Sequence, residues 1–305
     1  MTATVNVGVR IPSADAPDPA ELRAFVQRAE ALGFESIWVG DHVFHHTDVL
    51  QPLDLLSWVA GQTHRVRLGT AVVLAAYLHP VHLAKSAATV DRLSGGRLVL
   101  GVALGGTPDE FASLGVPIQQ RLGRLLENVT IARRLWREDG VDHAGRYHHL
   151  TGASVRPKPL QDPLPVYVGA RSEAMLNRLA LVADGWVASG HFTTAEFLAG
   201  IRTIRERAEA SGRDPDRLGI TKVQGVSVHR DGRVALDRAR RHWQRYYGPA
   251  FDVERSVIHG TPEQCAERLA AFTAADGREL TLILEPTSLD VEEFDLLHEA
   301  TRELC

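Results

Sequence analysis

The chain has 305 residues, 44% of them hydrophobic and 24% charged, which are globular proportions that exclude a disordered chain. A formal net charge of −4 excludes a dedicated nucleic-acid binder, which needs a basic excess to displace counterions. The two cysteines, Cys265 and Cys305, form no CxxC pair. We therefore expect a reducing cytoplasm rather than a disulfide framework.

The N-terminal residues lack a basic start followed by an apolar run, so we read no signal peptide. The longest uncharged stretch, residues 68–84, holds Gly69, His79, Pro80 and His82 and falls short of the ~20 apolar residues of a spanning helix. No membrane association is expected.

Short apolar runs then alternate with helical patterns. Residues 5–11 read as a first strand. Asp18, Pro19 and Glu21 give a cap, a helix-starting proline and an acid in the first turn, and Gly33 ends that helix. Residues 36–39 are a second strand and 53–61 a helix. Residues 66–74 are a third strand, almost continuously apolar, as for a strand covered on both faces. A helix at 80–93 and a strand at 97–104 follow. Residues 111–117 read as a loop and 121–136 as an amphipathic helix. Residues 140–159, with Tyr147, His148 and His149, read as an excursion of hairpin type. The rhythm resumes with a strand at 165–168, a helix at 172–183, a strand at 185–188 and a helix opened by Thr193 and Glu196. Residues 219–228 are a strand and 233–246 a helix with a solvated basic face. Thr261 to Gln264 caps another helix. Residues 280–284 are the last strand and 291–303 the closing helix.

That is about eight strand–helix units over a length typical of the (β/α)8 TIM barrel, and we expect one such domain over 1–305. A doubly wound open sheet would place a glycine-rich turn after the first strand; Arg10, Ile11, Pro12 and Ser13 stand there instead.

In a barrel, chemistry gathers at strand C-termini. The second strand exits into Asp41 and His42. An acid can accept hydrogen bonds from a cofactor, and an imidazole can exchange a proton near neutral pH. Their bland reading is a capping acid and a loop histidine. The fourth strand exits into Gly105 and Gly106, which admit a flat ligand or mark a turn. The fifth runs into Gly169, Ala170, Arg171 and Ser172 at a helix start. Such backbone amides, a hydroxyl and an arginine suit a phosphate; the alternative is a tight turn with Ser172 as cap. Histidines at 42, 45, 46, 79 and 82 invite a metal, but no HxH closes the first strand and later strand ends carry few acids, so no metal is expected. Trp186 reads as core.

In their order and spacing these segments resemble the bacterial luciferase-like superfamily of flavin and deazaflavin barrels. The resemblance rests on residues 33–42 (GFESIWVGDH), Val66 to Thr70 with His79 and Pro80, and Asp91 to Arg97. It continues through Asp109, Glu110 and Phe111, residues 114–117, 165–169 and 183–186. It implies a cofactor ring over a bulge in the third strand, with a non-prolyl cis peptide at Ala71–Val72. It places Asp41 and His42 beside the ring and Gly169 to Ser172 around the cofactor phosphate. Coenzyme F420 is the implied cofactor and FMN the alternative.

The resemblance has two departures. The sugar-phosphate dehydrogenase branch carries a Glu where Gly106 stands and a Lys where His191 follows Ser189 and Gly190. Both argue against glucose 6-phosphate as substrate. His42 is then the main proton-handling group, with His191, Lys222 and Gln224 as candidate substrate contacts. The expectation is an F420-dependent oxidoreductase acting on a small molecule. An FMN-dependent monooxygenase and a non-catalytic flavin-binding barrel are the competing readings, and a metal hydrolase is a distant one. Relatives of this kind are often dimers, so a homodimer is the expected assembly.

Overall fold

The computed structural model describes residues 5–12, 17–274, 279–302 and 304. Residues 1–4 and 13–16 of the N-terminal segment read for a signal peptide, together with Glu303 and Cys305, lie outside them. In chain order the elements are β1 (Val5–Arg10), α1 (Pro19–Leu32), β2 (Ser36–Val39), α2 (Pro52–Ala60), β3 (Arg67–Thr70), α3 (Pro80–Ser94) and β4 (Leu98–Val102). Next come α4 (Pro108–Ser113), α5 (Arg121–Arg137), β5 (Val141–Ala144), β6 (His149–Ala153), β7 (Val166–Gly169), α6 (Glu173–Val182) and β8 (Gly185–Ala188). The rest are α7 (Thr194–Ala210), β9 (Gly219–Val228), α8 (Gly232–Tyr247), α9 (Val253–Ser256), β10 (Val257–Gly260), α10 (Pro262–Ala270), β11 (Leu280–Glu285) and α11 (Val291–Thr301).

Strands β1, β2, β3, β4, β7, β8, β9 and β11 pair in that order, all parallel, and β11 returns to β1. The expected eight-stranded (β/α)8 barrel is thus closed. Because the strands are covered on both faces, two apolar layers form. Trp38, Val99, Val187, Val223 and Ile283 fill the barrel interior. A larger core, including Phe25, Leu56, Phe197 and Phe294, lies between strands and helices. Trp186 belongs to that outer core and is fully buried, as expected.

Large rings meet glycines inside the barrel. A Cβ on Gly69 would sit 2.1 Å from the Trp38 ring, and one on Gly219 would sit 1.8 Å from the Tyr167 hydroxyl. The Tyr167 ring also fills the space a side chain at Gly185 would need.

The structure agrees with the sequence reading at the excursion, an antiparallel β5–β6 hairpin, and differs from it at three places. The third strand is regular only through Thr70. The Ala71–Val72 peptide bond is cis, at the position the resemblance gave, and Val73 rejoins β4 through a single bridge to Val102. Part of the expected loop at 111–117 is helical. Thr107 and Glu110 form a capping box that opens α4 ahead of Phe111. Finally, β10 was not expected. It is short, it carries His259, and it pairs outside the barrel with the distal half of β9. Among the described residues no helix is long and apolar enough to cross a membrane.

Gly69→Ala forces a methyl group into the Trp38 ring. We expect a loss of about 1–3 kcal/mol, as for other overpacked cores, read as a lowered midpoint in urea unfolding with unchanged slope.

Candidate active site

Three backbone segments converge at the C-terminal end of the barrel. The bulge at Ala71 and Val72, the turn at Leu104 and Gly105, and the run Gly169 to Ser172 together line a cavity of about 350 Å³. Leu74, Met175, Val187 and Val223 complete its walls. Hydrogen bonds set each segment. The Val73 amide donates to the Gly101 carbonyl at 2.8 Å, and the Ala103 amide to the Val73 carbonyl at 2.9 Å. The Leu74 amide donates to Asp41 Oδ2 at 2.9 Å, which ties the β2 exit to the bulge. The Trp186 indole donates to the Ala170 carbonyl at 3.1 Å and pins the β7 turn.

The cradle suits a ring with a charged tail. At Gly169 a Cβ would reach Ala103 and Val72 at 3.1 and 3.2 Å, so backbone itself faces the cavity there. Gly105, at φ +99°, gives way to the Tyr77 ring in the same manner. Ser172 caps α6, its hydroxyl accepting from the Met175 amide. The capping reading and a phosphate reading of this turn are compatible, since Arg171 and Ser172 both remain exposed. Gly106 stands apart from the cradle. Its amide donates to the Tyr77 hydroxyl at 2.7 Å, and its Cα faces the Glu110 carboxylate.

His42 lies beside the mouth in an aromatic arc. Its ring is 4.5 Å from that of His45 and 5.6 Å from that of Tyr246. Tyr246 meets Tyr247 at 4.7 Å, and Tyr247 meets His191 at 4.8 Å. Burial, then the positive fields of His45 and Arg10, hold the His42 imidazole down at about 4 against the opposing pull of Glu110. Burial also raises the Asp41 carboxyl; the Leu74 amide opposes this and Glu110 adds to it. His191 Nδ1 lies 3.0 Å from Ser189 Oγ. Burial, Arg171 and Lys222 lower its pKa. His191 thus follows β8 at the C-terminal end of the barrel and packs against Tyr247.

Lys222 and Gln224 are not at the mouth, which corrects the sequence reading. Side chains alternate along β9, and Val223 takes the inward position. Lys222 points outward, fully buried, with Nζ 5.8 Å from the Phe272 ring centroid. Nζ donates to the Val223 carbonyl and to Gln224 Oε1, both at 3.0 Å. Gln224 Nε2 donates to the Gly225 and Ser256 carbonyls. Burial lowers the Lys222 ammonium to about 7.

Five participants were missed. Arg10 and Glu285 form a buried ion pair at 2.7 Å where β1 and β11 end. Burial works against the charged guanidinium, but Glu285, Tyr246 and Tyr247 outweigh it, so the Arg10 pKa rises. Glu110 is 5% exposed, and its Oε1 has no hydrogen-bond partner among the described residues. Tyr246 and Tyr247 end α8; two adjacent rings before Gly248 and Pro249 were the available signal. Among the described residues no three His, Cys, Asp or Glu side chains are arranged to hold a metal.

In the unfolded chain His42 would take a proton near the ordinary 6.5, whereas in the fold it does so only at about 4. The stability tied to its neutral form is therefore present above pH 6.5 and lost as pH falls toward 4. An NMR titration of the imidazole C2 proton should show a midpoint well below 6; a normal midpoint would contradict the buried neutral ring.

The family of luciferase-like monooxygenases matches residues 2–252. An F420-dependent glucose-6-phosphate dehydrogenase of Kineococcus radiotolerans is 34% identical over 239 residues, covering 75% of this chain and 70% of its own. One of Amycolatopsis mediterranei is 32% identical over 241 residues, covering 75% and 71%. Among solved structures, monooxygenase RslO1 of Streptomyces bottropensis aligns over 97% of this chain and 98% of its own, with TM-score 0.81 and 24% identity. An F420-dependent secondary alcohol dehydrogenase in complex with an F420–acetone adduct aligns over 100% of both chains, with TM-score 0.84 and 19% identity. At those identities the solved structures establish the fold.

Proposed function

We propose a function on one premise: the chain belongs to the family of luciferase-like monooxygenases. Within that family we read it as a coenzyme F420-dependent oxidoreductase, moving hydride between the deazaflavin and a small organic substrate. The observation that carries this is the 350 Å³ cradle, where the bulge, Gly105 and the Gly169 turn meet, and whose wall residue Leu74 is tied to Asp41, the neighbour of His42. The curated relatives, named as F420-dependent dehydrogenases, support the choice of deazaflavin over FMN.

Ala71 and Val72 would bear the ring, and Gly169 to Ser172 with Arg171 would hold the phosphate. A bound deazaflavin supplies a ring carbon that takes or gives hydride but activates oxygen poorly. The chain supplies position and proton chemistry. Asp41 fixes the bulge through Leu74. His42, neutral at physiological pH, is a base and not an acid. It is therefore suited to accept the proton of a substrate hydroxyl as the carbinol becomes a carbonyl. Tyr246 and Tyr247 wall the mouth between His42 and His191 and restrict water there.

Glucose 6-phosphate is a substrate to offer because the relatives are named for it. Gly106 and His191 remain arguments against it. The fully buried free thiol of Cys265 accords with a cytoplasmic enzyme, and light scattering after gel filtration tests the expected homodimer.

Titrating the protein with F420 should perturb the ring absorbance and saturate. Tight FMN binding without F420 binding, with oxygen uptake when the FMN is reduced, would replace this reading by a monooxygenase. His42→Ala should lower kcat by roughly 10²–10⁴-fold while leaving F420 affinity nearly unchanged. Arg171→Ala should do the reverse, weakening F420 binding by about tenfold, in keeping with loss of one charge-assisted bond.

A further inference from the structure

A second and larger cavity, about 1020 Å³, opens between α1, α8 and the segment after β11. One wall is a single face of α8. Arg238, Arg241 and Arg245 recur there at intervals of three and four residues, with His242 between them. Thr287 and Ser288, just after β11, form the facing wall. Tyr246 and Thr47 border it toward His42: Tyr246 packs against the His42 ring, and the Thr47 hydroxyl bonds His45.

The basic residues of α8 divide by face. Arg240, on the opposite side, pairs with Glu254. Among the described residues neither Arg238 nor Arg241 is in a close ion pair, although the charge of Arg238 reaches the buried Glu293 carboxylate. Two carboxylates also border the groove, Glu21 and Asp290. Asp290 is committed as the cap of α11, accepting from the Glu292 amide at 2.9 Å. The hydroxyls of Thr287 and Ser288 donate to the buried Glu293 carboxylate at 2.7 Å, so the arginines are the available donors. A chain of net charge −4 thus gathers positive charge along one groove-facing side of a helix.

We propose that this groove is an anion subsite. Arg238 and Arg241 hold a compact, multiply charged oxyanion group of the organic substrate, such as a phosphate, while the reacting carbon lies toward His42. Planar guanidinium forks match such groups in paired hydrogen bonds. The cofactor's own acidic tail is the other source of this chemistry, and the topology disfavours it. The phosphate turn follows β7, whereas the groove lies at β1 and β11. Strands β2, β3 and β4 separate β7 from β1 on one side, and β8, β9 and β11 on the other.

The inference deepens the reading of His42 as proton acceptor and is tested without turnover. Pyrophosphate is titrated calorimetrically, at low salt, into the F420-saturated protein and into the double variant Arg238→Gln, Arg241→Gln. F420 affinity is measured separately for both proteins. We expect pyrophosphate to bind the wild type, to bind the variant at least about tenfold more weakly, and F420 to bind both equally. Equal pyrophosphate affinity in the two proteins, or none in the wild type, overturns the subsite. A matching drop in F420 affinity overturns it too, since the groove would then hold the cofactor tail. Failure of F420 to bind the wild type, with pyrophosphate binding still dependent on the arginines, would instead strike the cofactor reading alone. Both substitutions lie on a partly to fully exposed helix face, and circular dichroism of the variant verifies the fold.

Discussion

A barrel exists only if its first and last strands meet. Here that seam is the pairing of β1 with β11, in register from Val5 with Leu280 to Val9 with Leu284. One step further the side chains of Arg10 and Glu285 close it with a buried ion pair. Removing one partner from such a pair leaves an uncompensated charge and typically costs about 3–5 kcal/mol. The same guanidinium lies against Gly40, where any Cβ would fall 1.8 Å from Arg10 Nη2. Closure therefore also sets how β2 leaves the barrel, and with it the position of Asp41 and His42. The positive field that helps keep His42 neutral comes from the residue that joins the ends of the sheet.

The strand–helix rhythm was legible because parallel strands covered on both faces read as continuous apolar runs. Helix starts were legible because Thr193 and Thr261 carry their partners at fixed spacing, and both capping boxes are present. Thr107 and Glu110 carry the same signal and were passed over, since the helix they open has only six residues. The bulge was legible only through resemblance. Nothing in the composition of Ala71 and Val72 marks a break in a strand, and the bond that accompanies it, from the Leu74 amide to Asp41, joins residues 33 positions apart.

The site was legible where it follows the strand ends in order. His42 and the Gly169 run needed only the rule that barrel mouths gather strand C-termini, whereas His191 was named only through the resemblance. Lys222 and Gln224 were misplaced by parity. A strand sends alternate residues to opposite faces, and a lysine next to a mouth residue is as far from the mouth as the wall is thick. Arg10, Glu110, Glu285, Tyr246 and Tyr247 escaped notice for a different reason. Their importance lies in which distant element they meet, and that information resides in closure of the barrel and in the path of α8 over its rim.

The floor of the barrel is shut by an aromatic–glycine arrangement, with the Tyr167 ring occupying the space that side chains at Gly185 and Gly219 would need. Three strands thereby share one volume. Drift at any of the three positions is tethered to the other two: a smaller residue at 167 would open a hole beneath the cradle, and a larger one at 185 or 219 would be tolerated only afterwards. Substitutions at these sites should thus accumulate in a fixed historical order among descendants of this chain, whatever happens to substrate choice at the rim.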